Sequence, residues 1–170
     1  ELVPDGATFQ AGIGDTPAAI VSALRLHRGL RVHSGIITQE YQQLAESGAL
    51  DAAAEHVSGI AWGDAAFRSW LPQSGFVFRS VVKTHGHDEL AAIPGFVSIG
   101  SALEVDLAGN LNLEWRAGRR VSSVGGAPDY LRAAAASAGG RAIIALQAAS
   151  GSGGSRIVPR LNAPSISGEL

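Results

Sequence analysis

The chain has 170 residues, of which 46% are hydrophobic and 16% are charged, and its formal net charge is −2. This composition is typical of a globular protein, and without a basic cluster it argues against a nucleic-acid partner. The absence of cysteine excludes disulfide bonds, thiolate nucleophiles and cysteine metal sites.

Strands and helices alternate through the first half of the chain. Apolar runs predict strands over 7–13, 30–38, 55–62 and 77–83. Helices are predicted after Pro17, over 40–49, after a cap at Asp64, and over 88–93. Strands that alternate with helices of about ten residues predict an α/β fold with a mostly parallel sheet and flanking helices.

The second half is predicted to contain a β-meander. A long strand over 96–107 turns at Ala108-Gly109-Asn110 into a strand over 111–116, and Gly118 turns that into 119–124. A last short strand covers 157–161. No internal repeat or linker divides the chain, so we predict a single α/β domain over 1–170.

The stretch 120–146 is predicted to form a βαβ unit with a candidate site. The run 121–124 (VSSV), which begins and ends with a β-branched valine, is broken by Gly125-Gly126. A helix follows from Pro128, and 142–146 is a buried strand. A paired-glycine loop before a helix can bring backbone N–H groups close to an anionic ligand or a developing oxyanion. We therefore predict that Gly125 and Gly126 form an oxyanion or ligand-binding loop.

Three further motifs carry weaker signals. The run 12–17 (GIGDTP) begins like a dinucleotide fingerprint, but Pro17 stands where the third glycine belongs, which favours a tight turn near a ligand crevice. The run 85–88 (HGHD) lacks a third ligand at a recognised spacing, so no metal is predicted. The chain has no Gly-x-Ser-x-Gly motif, which disfavours a serine hydrolase.

Two charged groups leave alternatives open. Glu104 and Asp106 share one strand face, so they are either an acid/base pair or a structural pair that binds backbone N–H groups. Arg116, Arg119 and Arg120 crowd a hairpin. They either meet phosphates or cover a solvated turn.

Several segments together resemble the C-terminal half of the acetyl-CoA hydrolase / 4-hydroxybutyrate CoA-transferase family. The resemblance is collinear from Val3 to Leu161, and its most specific part is the run ALEVDLAG followed by GGAPDYLR. The other similar segments are 3–20, 30–38, 96–112, 121–134 and 155–161. The resemblance implies a CoA-transferase (NagB/RpiA-like) fold that binds acyl-CoA against an N-terminal half missing here.

The resemblance also implies a reaction. In this family a glutamate carboxylate attacks the acyl-CoA thioester, giving an acyl-glutamyl anhydride and then a glutamyl-CoA thioester. A small carboxylate resolves the intermediate in transfer, and water resolves it in hydrolysis. Coenzyme A is thus expected as a substrate, with no separate cofactor.

The departures from the family pattern bear on activity. The family glutamate aligns with Gly35, in the run His33-Ser34-Gly35-Ile36, and a usual asparagine aligns with Gly100. Gly125, Gly126, Asp129 and Arg132 align intact. By this alignment Gly35, Gly100, Asp129 and Arg132 are expected at the coenzyme A site.

Other residues near Gly35 offer replacement chemistry. Glu40 could swing back towards the site, and His33 or Ser34 could activate water directly. The alternative is that His33 packs under the loop and Glu40 favours the helix dipole.

Two functions follow as expectations. The first is a CoA-transferase or acyl-CoA hydrolase that acts on an acyl-CoA and a small carboxylate or water. The second is a catalytically silent CoA-binding or subunit-interaction domain, and a Rossmann-type oxidoreductase half is a remote third. Both chain ends look cut from something longer, so the expected protein partners are the N-terminal half and a second copy. No 18-residue apolar run or signal-like start is present, which predicts a cytoplasmic protein with no membrane partner.

Overall fold

The computed structural model describes residues 2–168. The strands are β1 (Thr8–Ala11), β2 (Arg31–Ile37), β3 (His56–Ala61), β4 (Phe76–Phe78), β5 (Val97–Gly100), β6 (Glu104–Asp106), β7 (Leu111–Asn112), β8 (Trp115–Arg116), β9 (Arg119–Arg120), β10 (Arg141–Ile144) and β11 (Ile157–Val158). The helices are α1 (Asp15–Ala23), α2 (Gln39–Glu46), α3 (Ala65–Trp70), α4 (Val81–Thr84), α5 (His87–Ala91) and α6 (Ala127–Ala136). Short 3-10 helices follow α1 and α3.

Six strands form one parallel sheet in the order β10-β5-β1-β2-β3-β4. The chain builds outward from β1 to β4, then returns to place β5 and β10 on the other side of β1. In open α/β sheets such a reversal leaves a crevice beyond the carboxyl ends of the strands, and ligands bind there. The topology therefore directs attention to the carboxyl ends of β1 and β5.

Helices cover both faces of this sheet. The larger core includes Phe9 and Val97, and Phe9 stacks on Tyr41 of α2 with ring centroids 5.8 Å apart. A second core packs Phe96 against Tyr130 and small alanines of α6. Because successive side chains of an extended chain point to opposite faces, Phe96 and Val97 place the two cores on opposite sides of the sheet.

The chain leaves the central sheet after β5 and forms two small sheets before it returns to α6. β6 pairs antiparallel with β7 and parallel with β11, while β8 and β9 form a hairpin. The Asp106 carboxylate is buried and accepts hydrogen bonds from the backbone N–H groups of Ala108, Asn110 and Leu161 at 2.9–3.1 Å. Asp106 is thus a structural residue that ties the β6–β7 turn to the segment before the C-terminus.

The predicted strand over 96–107 is wrong. It is divided into β5 and β6, which belong to different sheets. The reason is that the chain leaves the parallel sheet after Gly100. Leu103 already donates its N–H to the carbonyl of Asn112, which belongs to the sheet of β6, β7 and β11.

The βαβ prediction for 120–146 is half correct. Helix α6 and strand β10 are present, but 121–124 is not a strand, and the N–H of Val121 donates to the Glu114 carbonyl. Strand β5 is the parallel neighbour of β10 and the true first strand of the unit. The intervening residues 101–126 are an insertion, so the run 121–124 had no free strand position beside β10.

Smaller corrections concern helix starts. Residues 80–83 were predicted as the end of a strand, but residue 80 directly precedes α4 and 81–83 form most of that helix. Helix α1 starts at Asp15 after Gly14, whose φ of 119° is readily adopted by glycine, so Pro17 is the third helical residue rather than the first. The predicted cap of α3 is correct, since Asp64 Oδ1 accepts from the Phe67 N–H at 2.8 Å. None of the helices within residues 2–168 combines the length and apolar character needed to span a bilayer.

Candidate active site

A cleft of about 710 Å³ lies beyond the carboxyl ends of β1, β2 and β5. Its walls come from three backbone segments, namely the β1–α1 turn (12–16), the end of β5 and its continuation (98–103), and the approach to α6 (122–127). Gly35 of β2 and His85, which follows α4, complete one side. The cleft therefore occupies the crevice that the strand order predicts.

The glycine loop lies at the positive end of α6. Gly125 has φ +55°, a conformation that glycine adopts readily, and Gly126 directly precedes the helix. Among the described residues, none accepts a hydrogen bond from the backbone N–H of Gly125 or Gly126. Two such donors beside a ten-residue helix start favour a negatively charged ligand atom.

The His85 ring lies close to two glycines of the cleft, Gly35 and Gly126. A Cβ atom added to Gly35 would be 2.6 Å from His85 Cε1 and 2.9 Å from Nε2. A Cβ atom added to Gly126 would be 2.5 Å from both Cδ2 and Nε2. The edge of the imidazole that carries Nε2 thus occupies space that a side chain at either position would need.

The His85 ring is held from its other side. Its Nδ1 is 2.9 Å from the hydroxyl of buried Thr84, and its ring centroid is 4.7 Å from that of Tyr130. The Tyr130 hydroxyl donates to the Thr84 carbonyl at 2.8 Å. Together α4 and α6 fix the imidazole at the cleft wall.

The protonation states at this wall follow from burial. Partial burial lowers the pKa of His85 below its ordinary value of 6.5, although the nearby charge of Asp129 opposes this effect. Burial also raises the pKa of Tyr130 well above its ordinary value. Around neutral pH the wall therefore presents a neutral imidazole and a protonated phenol.

The structure brings together only some of the predicted site residues. Gly35, Gly100, Gly125 and Gly126 all line the cleft. A Cβ atom at Gly100 would come within 2.9 Å of the Ile144 side chain, so this position also favours glycine.

The other four predicted residues do not line the cleft. His33 Nε2 is 3.2 Å from the Lys83 carbonyl of α4, and Glu40 hydrogen-bonds with the Thr38 hydroxyl at the start of α2. Asp129 and Arg132 are exposed on α6. Glu40 thus lies in the first turn of α2, and His33 contacts α4 rather than the cleft.

His85 and Tyr130 both line the cleft, although the sequence analysis predicted neither as a site residue. The run 85–88 was noticed only as a weak metal motif, and the described residues contain no group of three or more potential metal ligands. No local pattern could have found the contact between His85 and Gly35, because the two residues are distant in sequence and meet only through the packing of α4 on β2.

The arginine cluster is divided by the structure. Arg116 lines the cleft together with Arg156, whereas Arg120 pairs with the Glu114 carboxylate at 2.6 Å. Asp15 is the one acidic residue among the described cleft residues. The side chains around the cleft therefore carry more positive than negative charge, which suits an anionic ligand.

The parallel sheet, the switch-point cleft and the glycine loop define an α/β domain, and similarity to solved structures shows that its fold is of the CoA-transferase type. The fold is similar to that of RipA from Yersinia pestis, with a TM-score of 0.89 and 30% identity over 98% of this chain and 40% of that one. It is also similar to a 4-hydroxybutyrate CoA-transferase from Porphyromonas gingivalis, with a TM-score of 0.81 and 27% identity over 96% and 41% of the two chains.

Sequence comparison identifies the family. Residues 63–168 match the acetyl-CoA hydrolase/transferase C-terminal domain, and the chain belongs to this family of enzymes. It is 32% identical over 151 residues to the 4-hydroxybutyrate coenzyme A transferase of Clostridium kluyveri, covering 85% of this chain and 35% of that protein. It is also 32% identical over 147 residues to a Fasciola hepatica succinyl-CoA:acetate/propanoyl-CoA:succinate CoA transferase, covering 82% and 31%. The predicted resemblance is confirmed, and the chain spans about a third of the length of these relatives.

Proposed function

We propose that this chain is the thioester-handling domain of a CoA-transferase or acyl-CoA hydrolase. The substrate is an acyl-CoA, and the acceptor is a small carboxylate or water. The observation that carries the proposal is the cleft at the switch point of the sheet, with the two N–H groups of Gly125 and Gly126 on its wall. The family membership of the chain supports acyl-CoA as the substrate.

The cleft has the donors that this substrate requires. Attack on a thioester carbonyl develops a negative charge on oxygen, and paired backbone N–H groups at a helix start stabilise such a charge without reorganising. The guanidinium groups of Arg116 and Arg156 suit the phosphates of coenzyme A. Coenzyme A is a substrate here, and the proposal needs no further cofactor.

A second candidate is a catalytically silent CoA-binding or subunit-interaction domain. It is favoured by Gly35, because the family glutamate aligns there and a glycine cannot form the anhydride. Both candidates predict binding of coenzyme A, and only turnover of the thioester separates them.

We also propose two protein partners, namely the N-terminal half of a longer enzyme and a second copy of the chain. Large apolar side chains are exposed near the carboxyl ends of β3 and β4, among them Ile60, Trp62 and Val82. Partner contacts would cover such a surface. Light scattering of the full-length protein tests this proposal, and a monomer would contradict the homo-oligomer.

The function is tested by incubating the full-length protein with acetyl-CoA or butyryl-CoA, with and without acetate. Hydrolysis is followed by the release of free coenzyme A, and transfer is followed by the formation of acetyl-CoA from butyryl-CoA and acetate. The intact protein mass is recorded alongside both. We expect turnover, and dependence on acetate separates transfer from hydrolysis. Arg156→Gln should raise the KM for acyl-CoA about 10-fold, as expected for a lost charged hydrogen bond. Arg160→Gln, which changes an arginine outside this cleft, is the matched control. Binding without turnover would leave the silent alternative.

A further inference from the structure

The wall of the cleft contains a basic group, His85, beside the glycine loop. His85 Nε2 lies within the space that a Cβ at Gly126 would enter, so it is adjacent to the loop that carries the proposed oxyanion donors. No described residue forms a hydrogen bond with Nε2, whereas Nδ1 is 2.9 Å from the Thr84 hydroxyl. The ring nitrogen nearest the loop is thus left for a ligand or water.

We propose that His85 is the general base that activates water for hydrolysis of an acyl-CoA thioester in this cleft. The inference rests on the proposed function and deepens it, since it assigns hydrolysis rather than transfer and names the residue that carries the proton. It differs from the family chemistry because no protein carboxylate forms a covalent intermediate.

The step balances without another reactant. The water oxygen bonds to the thioester carbonyl carbon while its proton passes to His85 Nε2, and the carbonyl oxygen becomes an oxyanion facing the N–H groups of Gly125 and Gly126. When the tetrahedral adduct collapses, the carbon–sulfur bond breaks. The imidazolium returns the proton to the departing thiolate, so the products are a carboxylic acid and coenzyme A.

The surroundings of the ring suit this role. Thr84 accepts or donates at Nδ1 according to the tautomer, and with Nδ1 protonated the Nε2 lone pair is directed away from Thr84. The titratable neighbours are His33 on β2 and Asp129 and Tyr130 on α6. Burial is the dominant influence and lowers the pKa of His85, which keeps the imidazole unprotonated at neutral pH.

The other candidate bases are less well placed. His33 Nε2 is engaged with the Lys83 carbonyl, and Glu40 hydrogen-bonds with Thr38 outside the cleft. Tyr130 donates its hydroxyl to the Thr84 carbonyl and stays protonated. A side chain at Gly35 or Gly126 would displace the imidazole, so glycine at both positions leaves the space that the His85 ring needs.

The test uses the full-length protein with His85→Gln and, as a matched control, His87→Gln. His87 is exposed and outside the cleft. We expect His85→Gln to lower kcat for hydrolysis about 10²- to 10⁴-fold with little change in KM, as for loss of a general base. His87→Gln should retain wild-type kcat. The kcat of the wild type should fall on acidification with a midpoint below 6.5, and this limb should be absent from the residual activity of His85→Gln.

A second variant distinguishes loss of the base from loss of the folded structure. His85→Gly leaves a ring-sized space between Gly35 and Gly126, so added imidazole should restore part of the lost hydrolysis. Wild-type activity together with an unaffected His85→Gln enzyme would overturn the role of His85 and leave the proposed function intact. Transfer to a carboxylate without hydrolysis would also overturn only the role of His85. A wild-type protein that binds coenzyme A but neither hydrolyses an acyl-CoA nor transfers its coenzyme A to acetate would overturn both.

Discussion

Replacing Gly35 with alanine places a methyl group where the His85 ring lies. The added Cβ would be 2.6 Å from His85 Cε1, about 1 Å shorter than an ordinary carbon–carbon contact of about 3.5–4.0 Å. It would also be 2.9 Å from the Tyr130 hydroxyl, which is held by its hydrogen bond to Thr84. The strand and the ring must therefore move apart.

The expected change in the free energy of unfolding on Gly35→Ala is the balance of two opposing effects. Overpacking of a well-packed site costs about 1–3 kcal/mol of unfolding free energy. Alanine in place of glycine within a strand raises the free energy of unfolding by about 0.5–1 kcal/mol. We expect Gly35→Ala to lower the free energy of unfolding by about 1–2 kcal/mol, a balance of these two effects.

A double-mutant cycle isolates the contact. In a His85→Ala background most of the clash is gone and only the Tyr130 hydroxyl remains, so Gly35→Ala should be close to neutral. Urea denaturation measures the four proteins, and the coupling free energy should be about 1–2 kcal/mol, as for residues in direct contact. Gly151→Ala, where an added Cβ meets nothing within 4 Å, is the control. An equal cost of Gly35→Ala in both backgrounds would refute the placement of the His85 ring.

Three further predictions concern the sheet and its insertion. Tyr41→Phe removes the oxygen that accepts the Ala11 N–H at 3.1 Å and should cost about 1–3 kcal/mol in urea denaturation. Burial lowers the pKa of His56 below 6.5, and its Nδ1 accepts the Val32 N–H, so stability should be full above pH 6.5 and fall as the pH drops towards the folded-state pKa. His56→Gln should flatten that profile. Hydrogen bonding from Asn110 lowers the pKa of Asp106 below 3.8, so its stabilising effect should be present above pH 3.8 and decline below it. Asp106→Ala should lower the thermal midpoint at pH 7, and an unchanged midpoint would contradict the structural role of Asp106.

The sequence was sufficient for features that depend on neighbouring residues. Each of the six strands of the parallel sheet overlaps a predicted apolar run, although the runs 77–83 and 96–107 extend well beyond β4 and β5. Asp64 marked the start of α3, because its signal lies within a few residues of the element that it determines. The turn over 12–16 was also placed correctly near a crevice.

Features that depend on the whole topology were out of reach. The run 121–124 (VSSV) was predicted as a strand, yet the place beside β10 belongs to β5. Likewise His85 reaches the cleft only because α4 packs on β2 and because Gly35 and Gly126 leave space for its ring. The resemblance to the family identified Gly35 as the position that aligns with the family glutamate. It could not show that the His85 ring occupies the space that a side chain at position 35 would need.

The most direct test of the account is a single turnover of acetyl-CoA by the full-length protein in H₂¹⁸O. If the cleft processes an acyl-CoA by attack of water, coenzyme A is released and the acetate carries one ¹⁸O atom from the first turnover, while the protein mass stays unchanged. Label that appears first in a protein carboxylate would contradict attack by water. Acetyl-CoA that remains intact would contradict attack by water. If it also remains intact in the presence of a second small carboxylate, the proposed acyl-CoA chemistry as a whole is contradicted.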